Sequence, residues 1–149
     1  VTAPAPASAV AAALQQLSDA GSDADPAEFD RLLADDVTWQ LMGYGLDYTR
    51  TYHGKAEVYG QYLGKLQARL DHARTKTSTV SVLADDQRGA VAVHNSDQLF
   101  LLDGTELVVD VVLLMTVSEG RVQSVREFMD LRPVEAVFGS SFDEPTPSP

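Results

Sequence analysis

The chain has 149 residues, 44% hydrophobic and 22% charged, with 22 Asp and Glu against 11 Lys and Arg. That length and mix suit one folded domain and argue against disorder throughout. A formal charge of -11 repels phosphate backbones and anionic lipid surfaces, so neither nucleic acid nor membrane is an expected partner. Cysteine is absent, which excludes disulfides, thiolate metal sites and a cysteine nucleophile.

Residues 1–8 (VTAPAPAS) and 140–149 (SSFDEPTPSP) read as disordered tails that flank one domain at 9–139. The first tail lacks the basic and apolar regions of a signal peptide, and a cytoplasmic location is expected. Within the domain, Val10, Ala13, Leu14 and Leu17 recur at helical spacing over residues 9–20, up to Gly21. Asp25-Pro26 is a helix start, N-cap followed by proline, for a second helix ending near Ala34. A short strand follows at 37–42, then a tyrosine-bearing loop at 43–54. The longest helix is expected at 55–73, with Tyr59, Tyr62, Leu63, Leu66 and Leu70 on one face. Residues 77–83, 90–101, 106–117 and 121–129 are rich in Val, Leu and Thr and are parted by turn signals, so four strands should meander. One helical turn closes the domain at 132–139.

Helices first and strands afterwards predict an α+β fold, with an antiparallel or mixed sheet and helices packed on one face. A long twisted sheet curls, and helices across its concave side leave a pocket. The outer face carries Val108, Val112 and Leu114, which points to a homodimer through that face.

This element order resembles the cone-shaped nuclear-transport-factor-2-like superfamily. FDRLLADDVTW (29–39) is similar to its junction of helix and first strand. EGRVQSVREFMD (119–130) is similar to its last hairpin, most of all in the limonene-epoxide-hydrolase and SnoaL-like cyclase branches. The resemblance implies a cone enclosing an apolar pocket. Relative to the ketosteroid isomerases, the first-strand base position holds Leu41 and the second acid falls near Leu113, so that proton shuttle is absent. Relative to the epoxide hydrolases, the Tyr and Asn that hold water fall at Trp39 and Leu41. Their Arg-x-Asp pair falls at Asn95 and Asp97, and their second Asp at Glu127. Both carboxylates survive while the arginine and the water ligands do not.

Asp97 and Glu127, with Asn95 between them in role, are therefore the catalytic candidates. Residues two apart on a strand share a face, so Asp97 lies with Asn95 and Leu99, and Glu127 with Val125 and Met129. The alternative is that either carboxylate points outward and is solvated. The expected pocket walls add Trp39, Leu41 and Tyr44 from the first strand and its loop, and Tyr59 and Leu63 from the long helix. Val109, Val111 and Leu113 complete them from the strand LVVDVVLLM. Asp110, which interrupts that strand, is the reserve candidate if a bulge turns it inward. His53, His72 and His94 show no metal-ligand spacing, and Gly43-x-Gly45 is no phosphate loop, so neither metal nor cofactor is expected. His72 is expected near a helix C-terminus, where the macrodipole favours it.

The preferred reading is a cofactor-free cyclase or isomerase of a hydrophobic small molecule in a polyketide-type pathway, as the SnoaL-like resemblance implies. An epoxide hydrolase or epoxide-opening cyclase is the alternative. A non-catalytic carrier of a hydrophobic ligand is the reading from another class.

Overall fold

The computed structural model describes residues 6–143. Its first helix, α1 (Ala7–Ala20), is alanine-rich, buries Ala7, Val10 and Ala11, and ends at Gly21, whose φ of 57° an L side chain resists. It begins inside the stretch expected to be a tail. Ser8 explains this, because its backbone N and its hydroxyl both bond the Asp86 carboxylate, at 2.8 and 3.1 Å. Helix α2 (Pro26–Leu32) is capped by the Asp25 carboxylate, which accepts from Ala27 N at 3.0 Å.

Six strands form one sheet: β1 (Leu33–Leu41), β2 (Thr51–His53), β3 (Lys76–Asp85), β4 (Ala90–Phe100), β5 (Glu106–Ser118) and β6 (Arg121–Met129), in the order β2-β1-β6-β5-β4-β3. The sheet is mixed. Strands β1 and β6 run parallel and every other pair is antiparallel. The first strand starts before residue 37 because Leu33 and Ala34 are buried and Leu33 already pairs with Val122, ahead of a register shift before Thr38. Strand β2, only three residues long, lies inside the expected loop.

Helix α3 (residues 54–68) stops five residues before the expected end, where Leu70 leaves it to bridge Leu101. His72 therefore sits in the following turn and not at a helix end. The middle of α3, Val58–Leu63, is a π-helical segment, a form common at functional sites. It closes on Gly64, where an added Cβ would run into the Tyr59 carbonyl oxygen. Helix α4 (Leu131–Phe138) begins on the Asp130 cap. The chain then folds back, with Asp47 N donating to the Ser140 carbonyl at 2.7 Å, so the start of the stretch expected to be a tail is held against the domain. Phe142 is buried and stacks on Tyr48 at 4.2 Å. The remaining residues assigned to the tails, 1–5 and 144–149, lie outside the described residues.

Alternation along β5 sets the two faces of the sheet. Leu107, Val109, Val111, Leu113 and Met115 are buried, while Val108, Asp110, Val112 and Leu114 face out. Helix α1 crosses the inner face over β3 and β4, and α3 lies over β1 and β2. No helix among the described residues is long and apolar enough to cross a membrane.

Candidate functional site

Register brings the two candidate carboxylates to the inner face. Glu127 on β6 sits between Leu41 of β1 and Leu113 of β5, and Asp97 on β4 sits between Thr77 of β3 and Val109 of β5. Glu127 is 8% exposed, and both polar contacts it receives converge on one oxygen. Trp39 Nε1 donates to Oε1 at 3.0 Å and the Tyr62 hydroxyl donates to the same oxygen at 2.5 Å. No described donor reaches Oε2, so that oxygen is the place for a proton.

Asp97 is half-buried, and its Oδ1 is enclosed with no hydrogen-bond partner among the described residues. Thr77 is its neighbour across the β3–β4 ladder, and the Thr77 side chain favours the charged form. A buried carboxylate oxygen without a donor is a costly arrangement, which a proton or a bound molecule relieves. Burial pushes both carboxyls above their ordinary range. For Glu127 the charge of Asp97 adds to the burial while the Tyr62 and Trp39 donors oppose it. For Asp97 the Thr77 side chain opposes the burial and the more distant Asp110 charge adds to it. The Tyr62 phenol, enclosed beside Glu127 and stacked on Tyr52 at 4.9 Å, is held well above its usual value, so it stays a donor.

Beside this network lies a cavity of about 850 Å3, between α1, α2, the turn after α3 and the inner face of β3–β5. Its floor is Val93, Leu113 and Met115, and its far wall is Leu14, Leu17 and Phe29. Thr77, Thr79 and Asn95 supply polar groups, and His72, Arg74, Lys76, Asp19 and Asp25 stand around it as well. The expectation of an apolar pocket therefore needs correction, because one side is polar and charged.

The structure separates the expected site residues. Asn95 and Leu113 line the cavity. Asp97 and Glu127 are not on its wall; their register partners Thr77 and Leu113 are. Trp39, Leu41, Leu99, Val109, Val111 and Val125 are core residues, each under 9% exposed and closed off by neighbouring strands and helices. Leu63 and Met129 pack against that core. Tyr44 is 98% exposed, because positive φ at Gly43 and Gly45 turns the loop tip outward, and it leaves the expected wall. Burial, with the Asp30 carboxylate of α2 adding to it, lifts the Tyr59 phenol to about 12. Asp110 faces out, 3.1 Å from His94 Nε2, with no bulge beside it. Among the described residues no three His, Asp or Glu side chains gather to hold a metal.

Sequence reasoning missed Tyr62 and Thr77. Tyr62 lies on the same helical stripe as Tyr59, and periodicity cannot say which of the two meets the sheet. Thr77 shows itself only once its β3–β4 register is known.

The solved structures that this chain resembles share its whole outline. A candidate SnoaL-like polyketide cyclase from Jannaschia sp. CCS1 is 16% identical, covering 97% of this chain and 99% of that one, with a TM-score of 0.67. A candidate isomerase from Bacillus subtilis is 14% identical, covering 94% and 100%, with a TM-score of 0.72. An NTF2-like protein of unknown function from Burkholderia pseudomallei K96243 is 17% identical, covering 88% and 96%, with a TM-score of 0.67. At these identities the likeness shows the fold alone. No curated protein matches the chain. The family profile of the SnoaL-like domain matches residues 14–125, a span that holds Trp39, Tyr62 and Asp97 and stops just before Glu127. With most of its length under that match and an NTF2-like fold around it, the chain belongs to the SnoaL-like domain family.

Proposed function

We propose that the protein is a cofactor-free cyclase or isomerase acting on a hydrophobic, polyketide-type small molecule. One observation carries this reading. Two carboxyls that burial raises above their ordinary range lie beside one cavity, one holding two donors on Oε1 and the other with an oxygen no described donor reaches.

Their environments divide the labour. Asp97, the less enclosed of the two, is assigned as the base. Glu127, more deeply enclosed and raised by that burial and by the Asp97 charge, is assigned as the acid. Asp97 takes a proton from a carbon next to a carbonyl through the Thr77 hydroxyl, since Thr77 lines the cavity and Asp97 does not. The electron pair released forms the new carbon–carbon bond to a second carbonyl carbon, whose oxygen takes the Glu127 proton. An isomerisation uses the same two groups, with the proton returned at a different carbon. Holding both ends of a flexible chain in one cavity adds orientation, worth as much as ~7–11 kcal/mol in well-aligned intramolecular reactions.

A panel of poly-β-keto and aromatic compounds, with products read by mass spectrometry, tests the reading. Asp97→Asn and Glu127→Gln should each lower turnover by ~10²–10⁴-fold. Unchanged turnover in both variants would overturn it. Because Thr77 and Leu113 stand between the cavity and the two carboxyls, a non-catalytic carrier is the second reading. Tight binding of panel members with no product from the parent protein would favour that carrier.

The assembly belongs to the same proposal. Val108, Val112 and Leu114 are 58, 38 and 42% exposed on one face of β5, an apolar stripe suited to a second copy of the chain. Light scattering that returned only the 16.1 kDa monomer at micromolar concentration would remove the dimer.

A further inference from the structure

The Phe142 side chain sits among three other aromatic rings. It stacks on Tyr48 at 4.2 Å with the planes 5° apart, lies 6.0 Å from Tyr62 at 23°, and meets Phe138 edge-on at 5.1 Å. Tyr62 is stacked in turn on Tyr52. Phe142 is buried, as are Tyr48, Tyr52, Tyr62 and Phe138. Parallel faces and an edge are the contacts that aromatic quadrupoles favour, so the seat is shaped for a flat ring. None of these five residues lines the cavity.

What delivers that ring is a short strap, residues 139–143, which is neither helix nor strand. It leaves α4 at Gly139, whose φ of 69° suits glycine, and runs through Ser140 and Ser141. Phe142 is the only buried side chain in it. The other attachments are polar and lie at the rim. Asp143 pairs with Lys65 of α3 at 2.9 Å in a solvent-open pair, and the Ser141 hydroxyl reaches Asp47 Oδ2 at 3.4 Å. Arg69 Nη1 donates to the Phe142 carbonyl at 3.2 Å, and the Tyr48 hydroxyl donates to the Gly139 carbonyl at 2.8 Å. Solvent-open ion pairs contribute little each, and the strap can part from the domain without unmaking a helix or a strand.

We propose that the Phe142 seat is a binding site for a planar aromatic small molecule, with residues 139–143 as the strap that fills it until such a ring displaces Phe142. The incoming ring takes the place of a phenyl side chain, so it stacks on Tyr48 and packs on Tyr62. Tyr62 also donates to Glu127, so a ring in the seat touches the side chain that holds this carboxyl. The seat is separate from the cavity and does not depend on what the cavity binds. Tethering holds Phe142 at an effective concentration of roughly millimolar, so a free ring competes poorly until the strap loosens. A saturated ring of similar size fits less well, because it lacks the flat faces that stacking uses.

Calorimetric titration of the full chain with phenol and with cyclohexanol tests this, with side-chain signals followed by NMR. Phenol should bind the parent weakly and move the Phe142 ring signals together with those of Tyr48 and Tyr62. Lys65→Glu sets two like charges at the rim, which loosens the strap and should tighten phenol binding about threefold. Phe142→Ala removes the competing ring and should tighten it about tenfold, with phenol preferred over cyclohexanol by about fivefold. Tighter binding in Phe142→Ala, with Lys65→Glu unchanged and Phe142 unmoved in the parent, overturns the proposal, because the seat is then only a void that the substitution made. Equal binding of phenol and cyclohexanol overturns it too. Shifts confined to Val93 and Leu113 place phenol in the cavity, which overturns the seat and leaves the reading of the cavity intact. If Phe142→Ala does not fold, the parent and Lys65→Glu decide: no phenol binding in either, or Phe142 unmoved in both, overturns the proposal.

Discussion

The two faces of β4 and β5 are built from alternate residues of the same strands, yet they treat carboxylates in opposite ways. On the inner face Asp97 and Glu127 are enclosed and raised above their ordinary range, and Trp39 and Tyr62 both donate to Glu127. On the outer face Asp110 stands in solvent beside His94, with an apolar stripe around it. Strand geometry alone moves a carboxylate from water to the core by one residue, and with it from a solvated charge to a candidate acid or base.

That contrast breaks most readily at the indole. Trp39→Ala removes a buried ring and one of the two donors on Glu127, and should cost about 3–5 kcal/mol in urea unfolding. A loss under about 1 kcal/mol would mean that the indole is not packed against the sheet as described.

The helix above the inner face offers an internal control. Gly64→Ala places a Cβ against the Tyr59 carbonyl, so the π segment must shift, at a cost of about 1–3 kcal/mol. At Gly60, in the same segment, an added Cβ meets nothing within 4 Å, and Gly60→Ala should gain up to about 1 kcal/mol. The pair separates if the π turn positions Tyr62, and two equal outcomes would show that it does not.

The pH dependence of stability sharpens the comparison further. For a carboxyl whose folded value is raised, the folded state binds more protons than the unfolded one between the two values. Its contribution is therefore greatest below the unfolded value, near ~3.9–4.3, and is lost as pH rises through the folded value. Carboxyls held low by local donors, such as Asp85 with Arg88 and Asp130 with Arg132, act the other way, losing stability as pH falls through their lowered values. Urea midpoints of the parent minus those of Asp97→Asn, followed from pH 4 to 8, isolate the inner face. That difference should fall with rising pH. A flat difference would place Asp97 in solvent. Tyr62→Phe should raise the Glu127 carboxyl further, since a donor to the charged form is lost; carbon-13 NMR titration reads it directly.

The outer face should hardly respond. Asp110→Asn removes a partner from an exposed pair, and its effect on monomer unfolding should stay within about 1 kcal/mol. A larger loss at low protein concentration would mean that this face is stabilising the fold itself.

Much of this was readable in the residues. Alternation in LVVDVVLLM separates Val109, Val111 and Leu113 from Asp110 without any structure, but parity alone leaves open whether Asp97 and Glu127 point inward. The boundaries of β6 and the Asp25-Pro26 helix start rest on strong local signals. The tyrosines resisted this treatment. Three of them share one loop, but Tyr44 points out while Tyr48 bonds the Gly139 carbonyl and Tyr52 the Tyr48 carbonyl, and those partners come from distant or folded-back chain.

What the sequence determined by itself was what period governs: the four-strand meander, most of the helices, and which residues of a strand share a face. Tertiary structure decided what depends on separation in space. Parallel pairing of β1 with β6 carries Trp39 next to Glu127, 88 positions away along the chain, and a π turn closed at Gly64 aims Tyr62 at the same oxygen. It also set the cavity beside the two carboxylates and not around them, because the void opens only where α1, α2 and the turn after α3 fail to meet the sheet. Such gaps arise from the angles at which elements pack, and no local pattern of residue types records those angles.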